Sequence, residues 1–350
     1  MKEGWKKRVS RYPVGVLLRR ALRAGITPVL LQWFSRHDYD LSETLVVAGG
    51  PRCGTTWLAE LVAGVPGAAL LFEPLHVGNV PDAKAAGFKW RTFLEPDSSW
   101  PEGEAFIEKV LRGKVTNWHT TSQIALRSAI RPELWVVKLI HANLMLGWLA
   151  KTFPIRPPAL IIRHPCAAVA SRSQQGWKPL NRAPRIPGFL AAYPQFGPVL
   201  DQLTDLVEFR AALWCIDYFV PLSLPRPYPF HLVTYEGLVR NGARELSVLF
   251  DRWGLEVPPK AEERLGRPSQ TTQKGASVYS GDDPLAKWRK DLSREEVAKI
   301  LRVVEAFGLD FYSEALEPDY DRLFSESRCR PPDGTAEALH ARAAFSRKGL

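Results

Sequence analysis

The stretch that decides the fold is Leu45-Val-Val-Ala-Gly-Gly-Pro-Arg-Cys-Gly-Thr-Thr-Trp-Leu58. It predicts a short buried strand, a glycine-rich turn and a helix that begins near Thr55. A strand that ends in such a turn directs backbone N–H groups and a helix N-terminus toward one point, and this arrangement suits an anion. The stretch therefore predicts a phosphate or sulfate site.

The same turn departs from the loop that binds nucleoside triphosphates. That loop has the pattern G-x-x-x-x-G-K-[ST], in which the lysine reaches the β- and γ-phosphates and the hydroxyl binds magnesium. Gly49, Gly54 and Thr56 match the spacing, but Thr55 stands where the lysine is required. The nearest cation is Arg52, inside the turn. These differences favour a terminal group that is smaller or less charged than a triphosphate.

The turn resembles a loop of one enzyme family. Pro51-Arg-Cys-Gly-Thr-Thr-Trp57 is similar to the 5′-phosphosulfate loop, P-[KR]-S-G-T-T-W, of sulfotransferases that use 3′-phosphoadenylyl sulfate (PAPS). Cys53 replaces the serine of that pattern. The resemblance implies that the tryptophan stacks on the adenine and that the donor is bound by the loop residues Arg52, Cys53, Gly54, Thr55, Thr56 and Trp57.

A second anion site is predicted after the apolar strand at 159–162. Arg163 follows this strand, and Ser171 lies in a helix that begins at Pro165, where the missing N–H has no cost. The R-x(7)-S spacing resembles the sulfotransferase element that binds the 3′-phosphate of PAPS. Each element follows its own strand, so the two together are far more specific than either one.

Two weaker resemblances lie further along the chain. Tyr235 follows a predicted strand at 230–236 and resembles a family tyrosine that lies near the adenine. Lys274 and Gly275 resemble the C-terminal K-G pair that closes over the 3′-phosphate.

Candidates for a general base follow two other predicted strands. Glu73 and His76 follow the strand at 68–72, and ligands bind at the carboxyl edge of open α/β sheets. Lys138 lies inside the strand at 134–140, where a buried lysine needs a substrate anion or a carboxylate as partner, and His141 closes that strand.

The element Glu73-Pro-Leu-His76 is more similar to carbohydrate sulfotransferases than to the cytosolic phenol and steroid type, which carries K-T-H on a later strand. Here that strand has Lys138-Leu-Ile-His141, one residue longer. We take Glu73 as the first choice for the base, with His141 second and His76 third.

The resemblance covers roughly residues 44–312 and implies a P-loop-type three-layer α/β fold, with a mostly parallel central sheet flanked by helices. Alternation of strands and helices independently favours α/β. We expect a basic helical extension at 1–43, the sulfotransferase domain at 44–320 and a charged, flexible tail at 321–350.

Composition leaves several partner classes open. The chain of 350 residues has a net charge of +10, which fits an anionic cofactor, a nucleic acid or a membrane surface. Its apolar runs are shorter than the ~18–20 residues of a membrane span. The four cysteines form no C-x-x-C pair, which argues against a zinc site and favours a reducing compartment. The basic segment at 14–31 predicts a helix that either packs on the domain or lies on an anionic membrane.

We therefore expect a cytoplasmic enzyme that uses PAPS, releases adenosine 3′,5′-bisphosphate and needs no metal. Peripheral membrane contact through the basic N-terminal helix is left open. The acceptor expected is a hydroxyl on a sugar, a glycolipid or a similar small molecule. One alternative is a P-loop kinase or NTPase. The other is a basic membrane- or nucleic-acid-binding protein, although no nucleic-acid-binding motif is present.

Overall fold

A computed structural model of the chain describes residues 39–124, 132–174, 183–267 and 283–325. The predicted N-terminal helix, Lys274, Gly275 and most of the predicted tail lie outside these residues.

The described residues contain a single sheet of parallel strands in the order β2-β3-β1-β4-β5. The chain adds strands on one side of β1 and then on the other, so the order reverses beside β1. Ligands in such sheets bind at the carboxyl ends of the strands near this reversal. The predicted α/β class with a parallel central sheet is confirmed. The strands are β1 (Leu45–Gly49), β2 (Ala68–Phe72), β3 (Leu134–Leu139), β4 (Ala159–Ile162) and β5 (His231–Thr234).

Helices occupy most of the connections in the described part of the chain. Two short 3₁₀ helices lie at Leu41–Glu43 and Asn143–Met145. The α-helices are α1 (Thr55–Val62), α2 (Pro81–Ala85), α3 (Pro101–Leu111), α4 (Leu146–Thr152), α5 (Pro165–Gln174), α6 (Pro187–Ala192), α7 (Phe196–Asp201), α8 (Leu206–Leu222), α9 (Tyr235–Arg252), α10 (Pro259–Leu265), α11 (Trp288–Asp291), α12 (Arg294–Ala306) and α13 (Tyr320–Phe324).

Local sequence explains several helix boundaries. Asp205 and Glu208 form a capping box at the start of α8, and Ser293 and Glu296 form another at the start of α12. α9 departs from helical geometry at Asn241, where φ is −135° and ψ is 44°. The segment 176–204, which its proline and glycine content predicts as a loop, contains α6 and α7 among its described residues.

The chain divides into two compact units. The described residues of the first are 39–124, 132–162 and 229–267, and those of the second are 163–174, 183–228 and 283–325. The whole sheet lies in the first unit, together with α1 to α4, α9 and α10.

The first unit buries both faces of its sheet. One face packs its aliphatic side chains against α1, α9 and α10. On the opposite face, Trp135 lies 5.8 Å from Tyr39, between ring centroids, and beside Gly113 just after α3. Because both faces are covered, the strands are continuous apolar runs, as parallel sheets require.

The second unit is helical in its described residues. α8 packs against α5 and α12, and α11 packs against α5. None of the described helices combines the length and the apolar character that are needed to cross a bilayer.

Candidate active site

The turn after β1 depends on two glycines. At Gly49, a Cβ atom would lie 2.6 Å from the backbone oxygen of Ile161, so only glycine fits this close approach. Gly54 has a φ of +93°, and a Cβ there would lie 2.6 Å from Cδ2 of Tyr235. Between them Arg52 also has a left-handed φ, of 69°. The turn is therefore shaped by the backbone conformation at these positions.

The turn leads directly into α1. Gly54 is the N-cap residue and supplies no side-chain hydrogen bond, and the first intrahelical bond runs from the Leu58 N–H to the Gly54 carbonyl. The amides of the first turn are thus left without a capping side chain. Thr55 and Thr56 are buried. A helix N-terminus of this kind, preceded by a glycine-rich turn, fits the terminal anion of a nucleotide.

Two aromatic side chains flank this turn. The Trp57 and Tyr235 rings lie 5.5 Å apart between centroids at 61°. Trp57 is partly buried, and its Nε1 is enclosed without a hydrogen-bond acceptor. The two residues predicted to lie near the adenine are therefore in contact beside Gly54.

Glu73 and Lys138 form a buried ion pair at the carboxyl edge of the sheet. Lys138 Nζ lies 2.5 Å from Glu73 Oε1, and the lysine is 2% exposed. Glu73 has a left-handed φ of 48°, and its N–H donates to the Lys138 carbonyl at 3.1 Å. Of the two partners expected for the lysine, the structure places a carboxylate beside it.

Burial lowers the pKa of Lys138, and the negative charge of Glu73 opposes that shift. Arg52 is among the charges that lower it further, so the cation of the turn acts on this ion pair. The Arg52 charge of the turn therefore contributes to the electrostatic environment of Lys138.

His119 is a member of this group that sequence reasoning missed. Its Nε2 lies 3.7 Å from Glu73 Oε2, and burial lowers its pKa to about 4. The Asn117 side chain accepts from the His119 N–H at 2.8 Å, and the neighbouring Thr120 carbonyl accepts from the Phe72 N–H at 2.8 Å. This pairing of the Thr120 carbonyl with the end of β2 brings His119 to Glu73. No local sequence pattern around His119 predicts this contact.

His76 and His141 continue the group. The His76 ring lies 4.8 Å from that of His119 and 6.3 Å from that of His141, between centroids. Trp90 packs on both His76, at 4.7 Å, and His141, at 5.0 Å. We call Glu73, His76, His119 and Lys138 the base cluster; of the candidates predicted for the base, His141 lies at its margin.

Arg163 and Ser171 belong to the second unit. The Arg163 carbonyl accepts from Trp214 Nε1 at 3.0 Å, and Ser171 lies on α5, partly exposed. The adjacent His164 stacks on Trp288 at 4.7 Å, and its Nδ1 accepts from the Cys166 N–H at 3.2 Å. The start of α5 is therefore held by aromatic residues from distant parts of the sequence.

Comparison with known proteins gave matches only among solved structures: no family model and no curated protein matches the chain. The sulfotransferase domain from the curacin biosynthetic pathway is 16% identical, with a TM-score of 0.41, over 76% of this chain and 97% of that one. The sulfotransferase domain of the olefin synthase of Synechococcus PCC 7002 is 17% identical, with a TM-score of 0.41, over 80% and 98%. Mouse sulfotransferase SULT7A1, in complex with PAP, is 12% identical, with a TM-score of 0.38, over 93% and 95%.

All three are sulfotransferases. We rest the functional proposal on the residues of the site.

Proposed function

We propose that the chain transfers a sulfuryl group from PAPS to a hydroxyl of a sugar, a glycolipid or a similar small acceptor. The observation that supports the proposal is that the turn after β1 and the Glu73–Lys138 ion pair both lie at the carboxyl edge of one parallel sheet.

The acceptor oxygen attacks the sulfur of PAPS, and its proton passes to Glu73 Oε2. The bond between the sulfur and the bridging oxygen breaks, and adenosine 3′,5′-bisphosphate leaves. Charge that develops on the bridging oxygen would be stabilised by Arg52 and by the amides of Gly54 to Thr56. Lys138, bound to Oε1, holds the carboxylate so that Oε2 remains for the acceptor. The residues thus divide into a proton acceptor and a leaving-group site.

Two exposed tryptophans support an acceptor with a ring. Trp90 is 46% exposed and packs on His76, and Trp118 is 55% exposed and lies 5.6 Å from His119. Small-molecule sites are lined mainly by apolar and aromatic side chains with a few polar groups among them. Indole faces next to the base cluster suit the apolar face of a sugar.

The remaining donor contacts follow the family resemblance. We propose that Trp57 and Tyr235 bind the adenine and that the 3′-phosphate is bound by Arg163, Ser171, Lys274 and Gly275. The domain limits 44–320 and a cytoplasmic location are part of the same proposal.

The test is a thermal melt with adenosine 3′,5′-bisphosphate, with adenosine 5′-monophosphate and with magnesium-ATP. A ligand at a hundred times its dissociation constant stabilises the folded state by about 2.7 kcal/mol, which a melt resolves. We expect the melting temperature to rise with the bisphosphate alone. Arg163→Ala should reduce this rise, whereas Arg185→Ala, which alters an exposed ion pair with Asp201, should leave it unchanged. A shift with magnesium-ATP alone would instead favour a P-loop kinase or NTPase.

A further inference from the structure

Three side chains of the base cluster have the composition of a metal site. Glu73, His76 and His119 each present a ligand atom, and these atoms all lie within 4.8 Å of one another. We propose that these three residues bind a divalent transition-metal ion of the Zn²⁺ type. One carboxylate and two imidazoles are the ligands of many zinc sites, whereas Mg²⁺ and Ca²⁺ prefer oxygen alone.

Two buried nitrogens carry the inference. His76 Nδ1 and His119 Nε2 are both enclosed and make no hydrogen bond in the described structure. A buried polar atom without a partner costs free energy, so native structures rarely keep one without a reason. A metal ion would accept the lone pairs of both atoms. Glu73 Oε2 lies 3.7 Å from His119 Nε2, close enough for a shared ion after a small contraction.

Asn79 is the residue that would orient the two imidazoles. Its side-chain amide lies 3.5 Å from His76 Nε2 and 3.2 Å from His119 Nδ1, the two ring nitrogens opposite the enclosed ones. The nitrogen and oxygen of an asparagine amide exchange places by a simple flip. With Oδ1 toward the rings, Asn79 would accept from both N–H groups and leave His76 Nδ1 and His119 Nε2 with free lone pairs. Metal-bound histidines are oriented in this way by an outer acceptor.

Asn79 is itself held in place. The Asn117 side chain donates to the Asn79 carbonyl at 3.0 Å, and the Asn79 N–H donates to the His76 carbonyl at 2.8 Å. Asn117 also orients the backbone of His119. Asn117 therefore fixes both Asn79, which contacts the two imidazoles, and the backbone of His119.

Bound metal would oppose sulfuryl transfer, a consequence that rests on the proposed function. The ion would occupy Glu73 Oε2, the oxygen proposed to take the acceptor proton. Lys138 stays on Oε1 and reduces the negative charge available to the ion. We therefore expect a reversible inhibitory site rather than a permanently filled structural one.

The experiment titrates the full, tag-free chain with Co²⁺, followed by its visible absorption, and then displaces Co²⁺ with Zn²⁺. We expect one ion per chain, and at least a tenfold loss of affinity in His76→Gln and in His119→Gln. Asn79→Ala should lower affinity by about 10- to 100-fold without removing a ligand. His231→Gln, which alters a histidine of β5 outside the base cluster, should bind as the wild type does.

Equal affinity in the two histidine variants and in the control would overturn the proposal, as would the absence of a Co²⁺ band in the wild type. The melt with adenosine 3′,5′-bisphosphate checks that each variant is folded and tests the donor site separately. A chain that binds Co²⁺ but not the bisphosphate would retain the metal site and lose the proposed function. If activity persists when Co²⁺ saturates the site although Glu73→Gln is inactive, the ion does not bind Glu73 Oε2 and the assignment is wrong.

Discussion

The turn after β1 and the base cluster lie at the same sheet edge, but the chain builds them differently. The turn is continuous in sequence from Gly49 to Trp57, and it depends on backbone geometry. The base cluster takes side chains from the end of β2, from the segment around His119 and from β3. A site formed by backbone conformation should be sensitive to an added atom at Gly54. A site formed by side chains should instead be sensitive to the loss of a single charged group. Three predictions test that difference, and a fourth concerns His164 of the second unit.

The largest effect is expected at the carboxylate of the base cluster. Glu73→Gln keeps the size of the side chain but removes the proton acceptor, so sulfuryl transfer should fall by about 10²- to 10⁴-fold. Affinity for adenosine 3′,5′-bisphosphate, measured by the melt, should stay nearly unchanged because the turn is intact. Glu43→Gln, which alters a surface pair with Arg156, is the matched control and should retain full activity. Full activity of Glu73→Gln would remove Glu73 from the role.

The second prediction concerns the stability of the buried pair. Glu73→Gln leaves the Lys138 charge buried without its partner, so the free energy of unfolding should fall by about 3–5 kcal/mol. Lys138→Met combined with Glu73→Gln removes both charges and should recover much of that loss. Denaturant unfolding of the two single variants and the double variant measures the coupling. Additive losses would show that the two side chains do not depend on each other.

The third prediction tests the turn. Gly54→Ala adds a Cβ that meets Tyr235 and forces alanine into a positive φ, which should cost about 2–4 kcal/mol. Gly254→Ala is the matched control, since Gly254 also has a positive φ, of +66°, but nothing lies within 4 Å of the added atom. It should cost only about 1 kcal/mol from strain. Chemical denaturation compares the two variants, and equal losses would mean that contact with Tyr235 does not matter.

The smallest effect on stability is expected at His164, which follows β4 and packs against Trp288 and Tyr312 from a distant part of the sequence. Burial lowers the pKa of His164 from its usual 6.5 to about 4, although hydrogen bonds to the Ser313 and Ala315 backbones oppose the shift. The unfolded chain therefore binds more protons between pH 6.5 and pH 4, and the folded state loses stability as the pH falls through this window.

From pH 7 to pH 5 this histidine should account for a loss of about 2 kcal/mol in the free energy of unfolding. His164→Gln does not titrate, so its stability should decline less over the same range. Parallel pH profiles for the wild type and the variant would contradict the buried, neutral state of His164.

Much of the fold could be read from periodicity and turn chemistry. The predicted strands at 68–72 and 159–162 match β2 and β4, and the helix predicted from Thr55 is α1. The segment 176–204 is not determined by composition alone: its prolines indicate a loop, although Pro187 begins α6. Proline at the first helical position loses no hydrogen bond, so it is compatible with either structure.

The candidate site also has one part that the sequence predicts and one part that it does not. The turn is defined by neighbours in sequence, and its glycines, its cation and the following helix are visible in Gly49 to Trp57 without any tertiary information. The need of Lys138 for a partner was also visible, because a charge inside an apolar strand must be compensated. Only the tertiary structure made Glu73 that partner, brought His119 to the same carboxylate and exposed Trp118 beside it. Those contacts depend on how β2 pairs with β3 and with the segment around Thr120. Backbone conformation is encoded by adjacent residues, whereas contacts between distant side chains are decided by the packing of the whole unit.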